Sequence, residues 1–257
     1  MTAQTLLLRN AELLCTMNPA DNAGGTARAG DNAGAEIRGG GVFARGGVIE
    51  AVGPTSDLPQ DADQVIDMTG HVVIPGMVNT HHHLFQNLTR AVPGGQDAPL
   101  FGWLQTLYPI WSNIGPEHIY WSTALGLAEL AMSGCTTSSD HLYLYPNGAR
   151  LDDSMAAAAD LGMRFHGTRG SMSIGESSGG LPPDILCWNE DDILEDCQRD
   201  CAGAGEQIDL AGIELYAVRM PDIIAGPAQR FDIFTRPHAE LGQAVVDILD
   251  ILRQMRM

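Results

Sequence analysis

The sequence predicts a protein of the α/β class that contains a layer of parallel strands. Three segments of strand character, residues 71–74, 134–141 and 163–171, alternate with two helical segments, residues 116–133 and 150–161. This alternation is typical of a parallel sheet with helices packed on it. Each strand leads into polar residues at its carboxyl end, where α/β proteins place their sites.

The first 70 residues predict a separate β-rich unit, which we define as residues 1–70. Its segments of strand character are residues 4–17, with a turn at Arg9–Asn10, then residues 41–44, 47–53 and 64–68. Residues 18–40 are rich in glycine, alanine, asparagine and aspartate, which predicts a flexible loop. The segments on either side of Arg45–Gly46 predict a hairpin.

The helical segments that follow have recognisable ends. Gly115 and Pro116 are typical of a helix start, and apolar residues at helical spacing continue to about Ser133. Gly162 stops the second helix. Beyond the parallel layer we expect an acidic helix at residues 189–201, a fourth strand at 207–211, a fifth at 231–240 and an amphipathic helix at 242–257.

Charge and hydropathy exclude several classes of partner. The formal net charge is −18 at pH 7, whereas a nucleic-acid footprint needs clustered cations, so we expect no nucleic-acid partner. No run of about 18 apolar residues suggests a membrane span. Residues 1–4 lack the basic and apolar regions of a secretory signal, which predicts a cytoplasmic protein.

The most informative stretch is residues 71–83, where a short apolar run leads through Pro75–Gly76 to three consecutive histidines. An apolar run bounded by glycine and proline predicts a buried strand. Strand alternation places the side chains of His81 and His83 on one face. Two imidazoles on one face form half of a divalent-metal site. A lone histidine is more often a satisfied core residue, but three in succession favour metal binding.

Several motifs, in the right order, resemble one family. Residues 75–83 (PGMVNTHHH) resemble the P-G-hydrophobic-hydrophobic-N-x-H-x-H signature of the amidohydrolase superfamily, in its TRZ/ATZ, guanine-deaminase-like group. Four further segments resemble the 8-oxoguanine deaminases in particular, and they are residues 83–90, 100–109, 133–137 and 168–173. The similarity covers roughly residues 5–200.

The resemblance implies a (β/α)₈ barrel with an added β-sandwich unit built partly from the N-terminus. It makes His81 and His83 ligands of one divalent metal ion, for which zinc is the first expectation and iron the alternative, since imidazole suits both. It also implies that Gln86 hydrogen-bonds a purine-like ring, because an amide offers a donor and an acceptor together. The alternative for Gln86 is a solvent-exposed helix residue.

Hydrolytic deamination is the chemistry that the resemblance implies. A divalent ion lowers the pKa of bound water towards ~7 and so supplies hydroxide to attack the amine-bearing ring carbon. An acidic residue then carries a proton to the leaving ammonia. In this family that residue is a glutamate in H-x-x-E after the fifth strand, beside a metal-binding histidine. A histidine and an aspartate on strands six and eight complete the ligand set.

Trp103, Tyr108 and Arg169 each have two interpretations. Trp103 and Tyr108 would wall an apolar slot for a flat heterocycle, or equally lie in the core. Arg169 stands at a strand end, where it would meet a ring carbonyl or form a structural ion pair. His141 and His166 follow the second and third strands and would line the pocket without being ligands.

The sequence departs from the family pattern towards its C-terminus. His238 is followed by Glu240 at i+2 rather than i+3, so this pair is either a degraded fifth-strand site or a histidine in a turn. No later histidine follows. We therefore expect residues 71–257 to encode an incomplete barrel of roughly five of the eight strands. Open strand edges predict self-association, for example as a homo-oligomer.

Two functions follow from these observations. The first is a metal-dependent aminohydrolase that removes an amine from a small N-heterocycle such as 8-oxoguanine, with pterins and hydroxylated triazines as alternative substrates. The second is a truncated, catalytically inactive remnant that binds metal weakly through His81 and His83, because a catalytic zinc takes three protein ligands. A complete small metal-binding domain of unrelated function fits the ordered motifs poorly.

Overall fold

A computed structural model describes residues 4–18 and 36–207 of the chain, with side chains described as far as residue 200. This part is of mixed α/β structure, as predicted, with ten strands and four α-helices. It divides into two compact units, and the boundary falls between Met77 and Val78. No helix in the described ranges is long and apolar enough to cross a membrane.

The first unit is built from short strands. They are β1 (Thr5–Ala11), β2 (Leu13–Cys15), β3 (Glu36–Ile37), β4 (Gly40–Arg45), β5 (Val48–Pro54), β6 (Gln64–Asp67) and β7 (Val72–Val73). One sheet has the order β5-β4-β1-β6 and a second has the order β3-β2-β7. Of the predicted loop at 18–40, residues 19–35 lie outside the described residues, and β3 occupies part of the remainder.

The turn predicted at Arg9–Asn10 is a β-bulge. Strand β1 runs through it to Ala11, and its register with β4 shifts between Leu8 and Ala11. Asn10 takes up the irregularity with a φ of 61°, a conformation that asparagine tolerates better than most residues. The strand therefore bends at Asn10 and does not reverse.

The predicted hairpin is confirmed. Strands β4 and β5 pair in antiparallel fashion. The two-residue connection is Gly46–Gly47, one residue later than expected, with φ values of 56° and 82°. Two successive positive φ values match the twist of a hairpin, and glycine adopts them without a Cβ clash.

The prediction of a buried strand over residues 71–74 is wrong. The strand there is only β7, and Val72 and Ile74 are 62% and 50% exposed. It pairs with β2, in the first unit. Pro75 lacks a donor for a strand ladder, and pairing resumes only at β8 (Met77–Asn79), which leads directly to the histidines.

The second unit contains the predicted α/β layer. Its elements are α1 (Leu100–Trp111), α2 (Pro116–Met132), β9 (Cys135–Leu142), α3 (Leu151–Asp160), β10 (Arg164–Arg169) and α4 (Glu190–Gln207). The sheet order is β10-β9-β8, and β9 and β10 are parallel. The helices predicted at 116–133 and 150–161 and the acidic helix predicted at 189–201 are confirmed with small changes of boundary. The strands predicted at 134–141 and 163–171 are confirmed in the same way.

The two faces of this sheet differ. On one face Ser138, Asp140 and Phe165 are buried. A Cβ on Gly167, which belongs to the same face, would lie 3.2 Å from side-chain atoms of Leu151 in α3. Helices therefore cover this face. The other face carries half-buried polar residues, and the register sets His166 opposite Ser139 and Thr168 opposite His141.

The core of the second unit is rich in aromatic residues. Trp111 is fully buried, and its ring contacts Phe85, Trp103 and Tyr108 at centroid distances of 5.1, 5.3 and 5.7 Å. Tyr108 belongs to the buried cluster, and Trp103 packs against it. Trp103 and Tyr108 therefore pack in the core, which was one of the two interpretations of these residues.

Three predicted elements fall largely beyond the described residues. Gln207 ends α4, and the remainder of the predicted strand at 207–211 lies outside the described residues. The predicted strand at 231–240, which contains His238 and Glu240, lies outside them, as does the predicted helix at 242–257.

Candidate metal centre

The histidines occupy a short segment between β8 and a 3₁₀ helix at Leu84–Thr89. The backbone N–H of His81 donates to the side-chain oxygen of Asn79 at 3.2 Å. The rings of His81 and His83 stand edge to face with centroids 5.0 Å apart. The two rings therefore lie together, as predicted, although residues 80–83 are not strand.

The carboxyl end of β9 holds this segment through three hydrogen bonds. His141 N–H donates to the His82 carbonyl at 2.8 Å. His83 Nδ1 lies 2.7 Å from the His141 carbonyl oxygen. Leu84 N–H donates to Asp140 Oδ1 at 2.7 Å. Asp140 and His141, which lie far along the chain, thus fix the three consecutive residues from His82 to Leu84.

The His141 carbonyl determines which nitrogen of His83 carries the proton. A carbonyl oxygen only accepts, so Nδ1 is the donor and neutral His83 keeps its lone pair on Nε2. Burial is the largest cause that lowers the pKa of His83. Together these effects favour a neutral imidazole with one nitrogen available to a metal or a ligand.

His141 is brought beside the pair. Its ring centroid lies 5.3 Å from that of His83. Burial, followed by the nearby rings of His83 and His81, lowers its pKa to about 4. A Cβ on Gly170 would overlap His141 Nε2 and lie 2.8 Å from Tyr143 Cβ, so only glycine leaves room for this ring. His166 pairs with Ser139, further from the end of the sheet.

Gln86 faces the same region. Its Nε2 donates to the hydroxyl of Tyr143 at 3.2 Å. The Tyr143 ring stands 5.2 Å from the His83 ring, edge to face. Burial raises the pKa of Tyr143, so the hydroxyl stays protonated at neutral pH. Sequence reasoning missed Tyr143, although its position two residues after His141 was a usable signal.

The 3₁₀ helix that carries Gln86 is anchored to the core. Thr89 Oγ1 donates to the Gln86 carbonyl at 3.1 Å, and Trp111 Nε1 donates to Thr89 Oγ1 at 3.1 Å. A Cβ on Gly126 of α2 would overlap side-chain atoms of Leu84 and Asn87. Close packing therefore fixes the position of Gln86 relative to the histidines.

Asp140 is a buried carboxyl that sequence reasoning also missed. It is 1% exposed, and burial raises its pKa to about 7. Oδ1 accepts the Leu84 N–H, whereas Oδ2 has no hydrogen-bond partner within the described part of the chain. The signal that was available is its place at a strand end, directly before His141.

Arg169 forms the structural ion pair, not an open contact site. It is 1% exposed and donates through Nε to Asp196 Oδ2 at 3.0 Å. Its guanidinium lies 4.3 Å from the Tyr145 ring centroid and 5.3 Å from that of Trp188. Because Arg169 is almost completely buried and paired with Asp196, it is not placed to meet a substrate carbonyl.

The described side chains supply only part of a metal-ligand set. Over residues 4–18 and 36–200 no group of three histidine, cysteine, aspartate or glutamate side chains is arranged to hold a metal ion. Within these ranges no third side chain of these types is arranged with His81 and His83.

A sequence model of the amidohydrolase family matches residues 72–210. The chain belongs to the amidohydrolase family. It is 41% identical over 224 residues to an 8-oxoguanine deaminase of Pseudomonas aeruginosa, covering 82% of this chain and 49% of that protein. It is 35% identical over 185 residues to a hydroxydechloroatrazine ethylaminohydrolase of a Pseudomonas species, covering 66% and 38%.

Solved structures of the family superpose on the chain. The atrazine chlorohydrolase of Arthrobacter aurescens TC1, solved with zinc, has a TM-score of 0.69 and 26% identity. The match covers 84% of this chain and 47% of that one. The chain thus spans about half the length of the amidohydrolase-family relatives that it matches.

Proposed function

We propose that this chain forms part of a metal-dependent aminohydrolase that removes an amine from a purine-like N-heterocycle such as 8-oxoguanine. In this proposal His81 and His83 bind one divalent metal ion. The observation that carries it is the hydrogen bond from His83 Nδ1 to the His141 carbonyl, because metal-binding histidines almost always donate their other ring N–H in this way. The names of the relatives support the reaction class.

The donor set suits zinc or iron. His83 offers Nε2, and the ring of His81 stands beside it at 5.0 Å. Neutral imidazoles bind both metals, and we take zinc first because a relative was solved with zinc. A divalent ion supplies Lewis acidity, which lowers the pKa of a coordinated water to about 7. The role of the chain is to hold two imidazoles in one orientation for that ion.

The two histidines need further ligands. A catalytic zinc takes three protein ligands, and the described ranges contain no cluster of three. In this proposal the remaining ligands come from residues beyond those ranges or from a second copy of the chain. His238 and Glu240 stay candidates for the fifth-strand site.

Gln86, together with Tyr143, forms the recognition surface that we propose for the heterocycle. Because Gln86 Nε2 donates to the Tyr143 hydroxyl, the amide oxygen remains an acceptor and the phenol O–H remains a donor. A lactam edge presents a carbonyl and an N–H side by side, which complements this pair. The Tyr143 ring lies 5.2 Å from His83, so a ring bound here would lie next to the metal ligands. Pterins and hydroxylated triazines share the lactam edge and remain alternative substrates.

We further propose that β8, β9 and β10 are strands of a (β/α)₈ barrel. Residues 71–257 would form the barrel domain and residues 1–70 a separate β-sandwich unit. The superposition on the atrazine chlorohydrolase supports this architecture. Such barrels carry their sites at the carboxyl ends of the strands, and His81, His83 and His141 all follow or end strands of this sheet.

Metal content and ammonia release, measured on the purified chain, test the proposal. We expect about one divalent ion per chain and ammonia from 8-oxoguanine. The double variant H81A/H83A should lose both, because it removes the two imidazoles. His71→Ala removes an exposed histidine of the first unit and should keep both.

The outcomes separate the two candidate functions. Bound metal without ammonia from 8-oxoguanine, a pterin or a hydroxytriazine would support the inactive remnant, the second interpretation of the sequence. Metal content unchanged in H81A/H83A would overturn the assignment of the ligands.

A further inference from the structure

The carboxyl end of β9 acts on the histidine segment through both backbone and side chain. Two of the three hydrogen bonds come from the backbone of His141. The third is made by the carboxylate of Asp140, which accepts the Leu84 N–H at 2.7 Å. Asp140 is therefore the only residue of β9 that acts through its side chain in these three contacts, and it holds the residue that directly follows His83.

A buried aspartate at position 140 costs more folding stability than a purely structural hydrogen bond would require. It is 1% exposed, and Oδ2 has no partner in the described ranges. A buried ionisable group with an unsatisfied oxygen costs stability, whereas a neutral acceptor would satisfy one amide at lower cost. A carboxylate makes a shorter and stronger hydrogen bond to an N–H than a neutral acceptor does. That strength is useful where a backbone position must be held tightly.

We propose that Asp140 is a positioning residue for the metal-binding histidines. By holding the Leu84 N–H it fixes the backbone of residue 83, so that His83 Nδ1 stays on the His141 carbonyl and Nε2 points away with its lone pair. This inference rests on the proposed function, because the ion that the pair binds is part of that proposal. It concerns a residue that contacts neither metal nor substrate.

We expect the loss of Asp140 to disturb the orientation of the His83 ring and, as a consequence, to weaken metal binding. Loss of an outer partner of a metal-binding histidine typically weakens metal binding about 10–100-fold. Asp140→Ala removes the acceptor entirely. Asp140→Asn keeps an Oδ1 acceptor of the same shape and is expected to restore most of the orientation. A role in stability alone would not separate these two variants by the protonation site of a histidine ring.

Ser138→Ala is the matched control. Ser138 is 0% exposed, lies two residues before Asp140 on the same face of β9, and donates to the carbonyl of Ser139. Its removal also deletes a buried polar group from the strand, but its hydroxyl bonds to its neighbour Ser139 and not to the histidine segment.

The experiment measures the full chain in two states. In the metal-free protein, long-range ¹H–¹⁵N correlation spectra report which nitrogen of His83 is protonated. We expect the Nδ1–H form in the wild type, S138A and D140N, and a mixture of both forms in D140A. Titration with Co²⁺, followed by its visible absorption, is expected to show about 10–100-fold weaker binding in D140A and less than about threefold weakening in D140N.

The two readouts keep this inference separate from the proposed function. A wild-type chain that binds no Co²⁺ would end the metal proposal, whereas the protonation of His83 would still decide the role of Asp140. D140A with the same His83 form and the same Co²⁺ affinity as S138A would overturn the inference. If D140A does not fold, D140N decides, because loss of the Nδ1–H form in that variant contradicts positioning by the Oδ1 acceptor.

Discussion

An ionisable side chain is held at the carboxyl end of β10 and another at the carboxyl end of β9, and the two differ in how the protein pairs them. At the end of β10, the Nε, Nη1 and Nη2 atoms of Arg169 lie 3.0, 2.8 and 2.9 Å from oxygen atoms of Asp196 and Gly170. At the end of β9, His83 commits one ring nitrogen to the His141 carbonyl and keeps a lone pair on the other. The charge of Arg169 is paired within the protein, although Nη2 contributes an ion pair and no hydrogen bond in the described ranges, whereas His83 keeps a lone pair on a ring nitrogen.

The difference shows how to separate a structural cluster from a binding centre. The Arg169 cluster is buried and the histidine cluster is half-buried to exposed, but both follow a strand of an α/β layer, so position in the fold alone does not distinguish them. What distinguishes them is that Asp196 pairs with the charge of Arg169, whereas His83 keeps the lone pair of Nε2 while its Nδ1 is held. A ligand needs an atom that is fixed in direction but not yet paired, and His83 has one.

Truncation of Arg169 should have the largest effect on stability. Arg169→Ala removes the nearest cation of Asp196, which is 8% exposed and keeps ion pairs with Arg150 and Arg199 at 3.2 Å each. We therefore expect the free energy of unfolding to fall by about 3 kcal/mol, at the lower end of the range for a broken buried pair. Arg90→Ala is the matched control, because Arg90 pairs with Glu129 with about half of each side chain exposed, and it should cost about 0–1 kcal/mol. Urea denaturation measures both. Equal losses would show that the Arg169 cluster is not structural.

Gly170→Ala should have an intermediate effect, concentrated at the end of β9. The added methyl group would overlap His141 Nε2 and crowd Tyr143, so the His141 ring must move at a cost of about 1–3 kcal/mol. Gly53→Ala is the control, since a Cβ there meets nothing within 4 Å, and it should change stability by less than about 0.5 kcal/mol. Thermal denaturation and the NMR shifts of the His141 ring measure the response. A variant that behaves like G53A would contradict the close approach.

Acidification should lower the free energy of unfolding through His141, and this is the smallest of the three expected effects. His141 binds its proton near pH 6.5 in the unfolded chain and near pH 4 in the folded one, so the unfolded state holds more protons between these values. The free energy of unfolding should therefore fall as pH decreases from 6.5 to 4. We expect about 1–2 kcal/mol from this residue, less than the full shift implies because water still reaches part of the ring.

His141→Asn tests the acid effect in the metal-free chain. The difference in unfolding free energy between wild type and H141N at pH 7.5 should shrink at pH 5, because only the wild type carries this titration. The contribution of Asp140, which opposes that of the histidines, is common to both chains and cancels. A difference that grows on acidification would contradict the sign.

Much of the second unit was predictable from the sequence. The strands and helices from Pro116 to Arg169 follow local signals, such as Pro116 at a helix start and Gly162 after a helix end. The error at residues 71–74 came from reading an apolar run as buried. An apolar pair such as Val72–Val73 forms a strand equally well at an exposed position, and Pro75 then separates it from the strand that leads to the histidines.

For the candidate site, the sequence by itself determined the histidine pair and the family to which it points. The motif is local, so the residue spacing carried the information. Only the tertiary structure decided the partners: His83 meets a residue 58 positions away, and Leu84 meets one 56 positions away. Such contacts depend on strand order and register, which no local pattern encodes. The same dependence made Arg169 a structural residue and left His83 with an atom for a ligand.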